Sequence, residues 1–176
     1  MEYHMRAGVL YNGTGDRSLA SIRTVFHSQE KKIFGPDGKL LARTTIRQRL
    51  GLSGAENGVE KREYVLYGQQ EEECAVAHPA YCDQDAPERT GWPVCHTPLA
   101  DHAQLLLKGQ KGLLKMCDGA HYTLCGADGR LLLQLTHRGM LGGWDLRGPE
   151  GFSAEFLCGL FVFCRYLEKE NEMLYV

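Results

Sequence analysis

The sequence predicts a mainly β domain that ends in one long helix, buried on every side. Three observations support this prediction. Asn-Gly and Asp-Gly pairs mark tight turns, alternating apolar and polar residues mark strands between them, and the C-terminal helix lacks a polar face. A chain of 176 residues is long enough to bury a sizeable core, and we expect residues 1–176 to form a single domain.

The Asn-Gly and Asp-Gly pairs predict β-hairpins, because both residue types tolerate the positive φ of a type I′ turn. They are Asn12-Gly13, Asp37-Gly38, Asn57-Gly58, Asp118-Gly119 and Asp128-Gly129. The strand-like segments around them are MRAGVLY, SIRTVFH, KKIFG, KLLARTTIR, REYVLYG, HYTLCG and RLLLQLTHR. In the last of these, Leu131, Leu133 and Leu135 share one face, which is the period of a strand. The segment 100–109 fits a strand or a short helix.

A helix is predicted over about residues 153–170. At about 100° per residue, the apolar side chains of Phe156–Leu167 point in all directions, so no side of the helix suits water. This stretch is only about 18 Å long, against a hydrocarbon layer of about 30 Å, and Arg165 interrupts it. We therefore expect burial inside the protein, with both Phe161 and Phe163 covered although they point in opposite directions.

Composition and charge exclude several classes of function. The 20 Lys and Arg residues nearly balance the 22 Asp and Glu residues, so nothing attracts the whole chain to nucleic acid. No segment has the length of a transmembrane helix, and MEYHMRAGVL does not have the pattern of a secretory signal. The seven cysteines form no compact disulfide framework. We expect a cytoplasmic protein with reduced thiols.

Two distant segments share the pattern Gly-x-Asp-Gly-Lys/Arg-Leu-Leu, namely Gly35–Leu41 and Gly126–Leu132. They are either two ordinary hairpins with the same turn chemistry or a two-fold repeat of a β unit. The region of about 68–99 between them contains four prolines and the run QQEEE. This composition predicts a long loop or insertion there.

These hairpins, together with HYTLCGADGRLLLQLTHR, GGWDL and the apolar C-terminal helix, resemble the tubby C-terminal-domain-like superfamily. That superfamily includes the tubby proteins, the phospholipid scramblases and the plant LURP-one-related proteins. The resemblance covers most of the chain but leaves out about 68–99. It implies a closed antiparallel β-barrel of about twelve strands around a buried hydrophobic C-terminal helix. It also implies a non-catalytic protein that binds lipid headgroups, a membrane surface or a protein partner.

Arg43, Arg47 and Arg49 form a basic run, and Lys61 and Arg62 follow further along the chain. Tubby domains bind phosphoinositides through a basic pocket, but these positions cannot be matched to that pocket. The run is either a binding patch or part of solvated strand faces, and the second interpretation is favoured. The calcium-binding segment and the cysteine-rich run of the scramblases have no counterpart in the sequence.

A zinc-stapled interaction protein is the alternative function. Cys74, His78, Cys82 and Cys95 lie within the predicted loop, followed by His96, and zinc prefers such thiolate and imidazole ligands. A metal ion would also stabilise a loop that has little core of its own. Their spacing, however, is not the paired C-x₂-C form that is typical of zinc sites.

The sequence contains none of the common catalytic or nucleotide-binding motifs. Gly13–Ser18 follows an apolar strand as a dinucleotide loop would, but it lacks the third glycine and predicts a hairpin instead. No G-x-S-x-G elbow, P-loop or H-E-x-x-H motif is present. The sequence therefore assigns no catalytic or cofactor-binding residue, and we expect the protein not to be an enzyme.

Overall fold

The structure, a computed structural model, describes residues 1–49, 58–82, 100–149 and 151–172. Within these ranges the chain forms a closed barrel of antiparallel strands and one long helix. The strands are β1 (Glu2–Arg6), β2 (Val9–Asn12), β3 (Ser18–Thr24), β4 (Lys31–Phe34), β5 (Leu40–Gln48), β6 (Arg62–Gly68), β7 (Glu73–Tyr81), β8 (Ala100–Leu107), β9 (Gln110–Asp118), β10 (His121–Gly126), β11 (Leu131–His137) and β12 (Trp144–Arg147). The helix, α1, spans Ala154–Glu172, and short 3₁₀ turns lie at Val59–Lys61 and Gly139–Leu141.

Each strand pairs with its neighbours in sequence, and β12 returns to pair with β1. At this seam, Tyr3 lies opposite Leu146 and Met5 lies opposite Trp144. Closure leaves none of the described strands with a free edge. The prediction of a closed antiparallel barrel of about twelve strands around a buried C-terminal helix is confirmed.

The helix lies off the barrel axis, and alanines on the nearer strands make room for it. It contacts β3, β4, β5, β6, β8 and β9. Several inward positions on this side are alanines, which leave room for a helix: Ala20, Ala42, Ala100 and Ala103. The opposite wall fills the remaining space with large buried side chains: Met5, Leu10, Tyr122, Leu124, Leu133, Leu135 and Leu146. The strands beside the helix also contribute large buried side chains, such as Tyr64, Leu66 and Leu105, so the alanines make room for it only locally.

The helix is buried around its circumference, as its sequence pattern predicts. Phe163 is only 1% exposed, and at Gly159 an added Cβ would lie 2.8 Å from the Leu66 side chain. Phe161 is half-buried, so the expectation that both phenylalanines are covered is wrong for this one. It points toward β12, away from the strands that pack closest to the helix, and meets Trp144 edge-on at 5.8 Å between ring centroids.

Four of the five Asn-Gly and Asp-Gly pairs lie in turns between paired strands or at the point where a strand enters its turn, whereas Asn57 lies outside the described residues. None of the four is a type I′ turn, because their Asn and Asp residues do not adopt positive φ. Two other turns carry positive φ at both central positions, Ala7-Gly8 and Lys108-Gly109. MRAGVLY is therefore two strands and not one. Ala-Gly and Lys-Gly are weaker turn signals than Asn-Gly, so the sequence pattern missed them.

The two Gly-x-Asp-Gly segments form matching hairpin turns. In the first, the Gly35 N–H donates to the Lys39 carbonyl at 2.8 Å, and Gly38 adopts a φ of 78°. In the second, the Gly126 N–H donates to the Arg130 carbonyl at 2.9 Å, and Gly129 adopts a φ of 77°. A register shift accompanies each turn. The turns therefore share one local conformation. This agrees both with two ordinary hairpins and with a two-fold repeat of a β unit.

The region predicted as a long loop, 68–99, is partly a strand. Glu73–Tyr81 forms β7, which pairs with β6 and β8, so the loop prediction is wrong for these residues. Alternation within β7 places Ala75 and Ala77 inward, a signal that the acidic residues and prolines around it obscured. Residues 83–99 lie outside the described part of the chain. The undecided segment 100–109 is a strand over Ala100–Leu107.

Polar contacts attach the end of the helix to the barrel wall. The Tyr166 hydroxyl donates to the Gln29 carbonyl and accepts from the buried Thr44 hydroxyl at 3.1 Å. Glu170 pairs with Arg62 and accepts a hydrogen bond from the Tyr64 hydroxyl at 3.1 Å. These contacts satisfy polar groups that would otherwise be buried without partners, and they fix the depth of the helix.

Glu170 makes stability depend on pH. Burial raises the pKa of this carboxyl above its usual 4.5, although Arg62 and the Tyr64 hydroxyl oppose the shift. The folded protein thus holds the proton more tightly than the unfolded chain does. Its contribution to stability is fully present below pH 4.5 and is lost as the pH rises through the folded pKa.

Above pH 4.5, the free energy of unfolding of the variant Glu170→Gln should therefore decrease less with rising pH than that of the wild type. Glutamine keeps the size and the acceptor oxygen but cannot ionise. Urea unfolding from about pH 4 to pH 8 measures the free energy of unfolding of both proteins. The contributions of the other carboxyl groups are the same in both and cancel in the difference. Parallel stability curves for the two proteins would contradict the prediction.

Candidate functional site

A groove of about 560 Å³ crosses the outer surface of the barrel from β7 to β10. Its lining residues come from these four strands and from the β10–β11 turn: His78, Gln104, Leu105, Leu106, Lys111, Gly112, Leu113, Cys125, Gly126, Ala127 and Gly129. Three of them are glycines and contribute no side chain. A concave surface with an apolar middle and a few polar groups is the usual form of a ligand site.

Strand alternation places two leucines in the middle of this groove. Leu105 and Leu114 point into the core, so their neighbours Leu106 and Leu113 point outward. Leu106 is 36% exposed and Leu113 is 38% exposed. In the β8–β9 register, Leu113 lies opposite Gln104 and Leu106 lies opposite Lys111, so the leucines are diagonal neighbours. Together they form an apolar surface that the described residues leave open to solvent.

Cys125 continues this surface on β10. It lies opposite Leu113 on one side and opposite Leu131, which is 52% exposed, on the other. On β7, Val76 lies opposite Leu106. A row of outward apolar side chains therefore extends from β7 to β11 through the groove.

A network of charges supports the β7 end of the groove. His78 Nε2 lies 3.0 Å from a Glu63 carboxylate oxygen, and Arg47 Nε donates to the other oxygen of the same carboxylate at 2.5 Å. Arg47 also donates to Glu73 at 2.5 Å and to the Tyr67 hydroxyl at 2.9 Å. Partial burial raises the pKa of Glu63, but the hydrogen bonds from Arg47 and His78 outweigh it and keep the pKa low. The network orients the His78 ring beside the groove.

The basic run of the sequence does not form an open anion-binding patch. Arg43 pairs with Glu71 and stacks over the Tyr67 ring, with 4.2 Å between the guanidinium carbon and the ring centroid. Arg47 belongs to the network described above, and hydrogen bonds to Glu73 and Glu63 raise its pKa. Arg49 donates to a backbone carbonyl at 3.4 Å. The structure favours the interpretation of this run as a strand surface.

The residues of the zinc hypothesis do not come together where the structure describes them. Cys74 and His78 lie four positions apart on β7, which separates their Cα atoms by about 13 Å at about 3.3 Å per residue. Cys82 is buried after the strand, and Cys95 and His96 lie outside the described residues. Within the described ranges, no three His, Cys, Asp or Glu side chains are grouped so that they could hold a metal ion.

The cysteines that the structure describes are all free thiols. They are Cys74, Cys82, Cys117, Cys125, Cys158 and Cys164. Burial raises the pKa of Cys158 to about 12, so the helix thiols are neutral core residues. The described part of the chain also contains no helix with the length and apolar composition needed to cross a bilayer.

Sequence reasoning missed the residues of the groove. The signal was the adjacent leucines in AQLLLKG and KGLLKM, since neighbouring residues on a strand must point to opposite faces. Leu105 and Leu114 fill the core, whereas Leu106 and Leu113 reach the surface. The sequence could reveal this only after both segments were known to be strands.

Comparison of the chain with models of protein families, with curated proteins and with solved structures finds no match. The resemblance to the tubby C-terminal-domain-like superfamily therefore stays a prediction, and only the barrel architecture that it implied is observed.

Proposed function

We propose that this protein is a non-catalytic binding module whose outer groove holds a segment of a protein partner. The observation that carries the proposal is the pair of outward leucines, Leu106 and Leu113, in a groove of about 560 Å³. Gln104 and His78 beside them supply hydrogen-bonding groups that can orient a ligand. Apolar anchors with a few polar neighbours are typical of surfaces that bind partner side chains.

The same surface gives less support to the other expected ligands. The basic run offers little support for a lipid-headgroup site, because Arg43 and Arg47 are held by carboxylates. The zinc alternative needs ligands that converge, and β7 holds Cys74 and His78 apart. A protein segment is the ligand that apolar and hydrogen-bonding groups together suit best.

A non-catalytic role agrees with the positions of the groove's reactive side chains. His78 lies on β7 and Cys125 lies on β10, so three strand spacings, about 14 Å in total, separate the two strands. A thiol and its general base must approach within hydrogen-bonding distance, about 3 Å. These two residues therefore cannot act as a nucleophile and base pair.

Selection from a library of random twelve-residue peptides displayed on phage tests the proposal. Peptides enriched on the wild-type protein should bind it in solution and should lose at least tenfold in affinity for Leu113→Glu. This substitution places a carboxylate in the apolar middle of the groove. A bound peptide would remove water from this charge, and the cost in free energy lowers the affinity. Fluorescence anisotropy of labelled synthetic peptides measures the affinities.

Leu40→Glu is the matched control, because Leu40 is also 38% exposed but lies at the start of β5, outside the groove. Peptide affinity for this variant should equal that for the wild type. Thermal melts should show that both variants are folded. The proposal fails if no peptide is enriched, or if enriched peptides bind both leucine variants equally well.

A further inference from the structure

Three cations surround the groove at the end near the β8–β9 and β10–β11 turns. Lys111 lines the groove itself, Lys108 lies in the turn that joins β8 to β9, and Arg130 follows Gly129 at the groove's rim. All three are exposed. Among the described residues, no carboxylate lies within ion-pair distance of any of them.

Six of the described arginines form ion pairs, unlike these three residues, although other described cations such as Arg6, Lys32 and Lys61 form none either. Arg43, Arg47, Arg62, Arg138, Arg147 and Arg165 each pair with at least one carboxylate. Two acidic side chains lie in the turns at this end. Asp128 accepts the Arg130 backbone N–H at 3.0 Å, and Glu72 accepts the Gln70 N–H at 2.9 Å. The end of the groove therefore carries three cations that form no ion pair with the described residues, beside the acidic residues Asp128 and Glu72.

The closed barrel restricts how a partner can bind there. A peptide cannot add a strand, because the described strands have no free edge, so recognition must rely on side chains. The groove crosses four strands, or about 14 Å, which corresponds to about four extended residues. Such a segment would place apolar side chains on Leu106 and Leu113 and its remaining side chains near the cations.

We infer that the groove recognises a short acidic segment of a partner protein. Apolar side chains of this segment contact Leu106 and Leu113, and its carboxylates pair with Lys111, Arg130 and Lys108. The inference rests on the proposed function and specifies the partner's chemistry. Exposed ion pairs are individually weak, so each changes affinity by up to about fivefold, and they act mainly on specificity.

Two pools of synthetic ten-residue peptides test this inference. Both pools carry leucine, isoleucine or phenylalanine at alternate positions. The remaining positions carry serine or glutamate in the acidic pool and serine or lysine in the basic pool. The acidic pool should bind the wild-type protein at least tenfold more tightly at low ionic strength. The difference should shrink in 0.5 M NaCl, because salt screens exposed charges.

Charge reversal at the groove provides the decisive comparison. The double variant Lys111→Glu/Arg130→Glu should reverse the preference and favour the basic pool. Lys32→Glu/Lys61→Glu is the matched control: it changes the net charge by the same amount at two lysines outside the groove, and it should leave the preference unchanged. Thermal melts check that both variants are folded.

The outcomes separate this inference from the proposed function. If both pools bind the wild type equally and lose affinity for Leu113→Glu, the groove binds peptides without regard to charge. The inference of an acidic partner is then wrong, while the proposed function stands. If the two double variants change the preference equally, the effect comes from net charge and the inference is also wrong. If neither pool binds but peptides selected on phage do, the inference fails and the proposed function stands.

Discussion

A chain that ends at Gly151 should not unfold cooperatively, because it lacks the helix that fills the barrel. The helix supplies a large part of the core through residues that are at most 6% exposed: Phe156, Leu157, Cys158, Leu160, Val162, Phe163, Cys164, Tyr166 and Leu167. The strand residues that face it include alanines, which cannot fill the space that it leaves. An empty lumen of this size forfeits the packing that stabilises the remaining walls.

Expression of residues 1–151 and a thermal melt followed by circular dichroism measure this effect. We expect an insoluble product or a melt without a cooperative transition, while the full chain melts in a single transition. A helix docked on the outside as a reversible membrane anchor would give the opposite result. In that case the truncated chain would stay folded and become more soluble, and a cooperative melt would contradict the central position of the helix.

The substitution Phe163→Ala should lower the free energy of unfolding by about 3–5 kcal/mol. Phe163 is 1% exposed and packs against Tyr64, with 5.9 Å between the ring centroids. The surrounding strands are hydrogen-bonded on both sides and cannot collapse into the cavity that alanine would leave. This cost is a large share of a typical total stability of about 5–15 kcal/mol.

Phe161→Ala is the matched control within the same helix. It removes the same atoms from a side chain that is half-buried against Trp144, so it should cost less than half as much. Urea unfolding of the wild type and both variants gives the three free energies. Equal losses for the two variants would show that both phenylalanines are equally buried, contrary to the off-axis position of the helix.

Features that depend on a few neighbouring residues could be predicted from the sequence. The burial of the helix followed from the absence of a polar side, and the strands β10 and β11 followed from alternation around Asp128-Gly129. The closed form of the barrel was implied by resemblance, not by the residues. The strand β7 was missed because acidic residues and prolines concealed its alternation.

The candidate site was not predictable in the same way. Leu106 and Leu113 were visible as members of runs of adjacent leucines, but their diagonal contact depends on the β8–β9 register. The pairing of Arg47 with both Glu63 and Glu73 joins three strands, and no local pattern indicates which charges will meet. The sequence suggested a basic patch as one alternative. In the structure, the strand register places carboxylates beside Arg43 and Arg47, and these neutralise their charges.

The sequence by itself therefore determined the places of four turns, several alternating strands and a helix that must be surrounded. Backbone geometry and side-chain period act over a few residues, so they can be recognised without the rest of the chain. Only the tertiary structure decided that Met5 meets Trp144 at the seam, that the helix lies toward the alanines, and that two leucines and Lys111 share one groove. These features depend on which outward and inward residues the register brings together across strands that are distant in sequence.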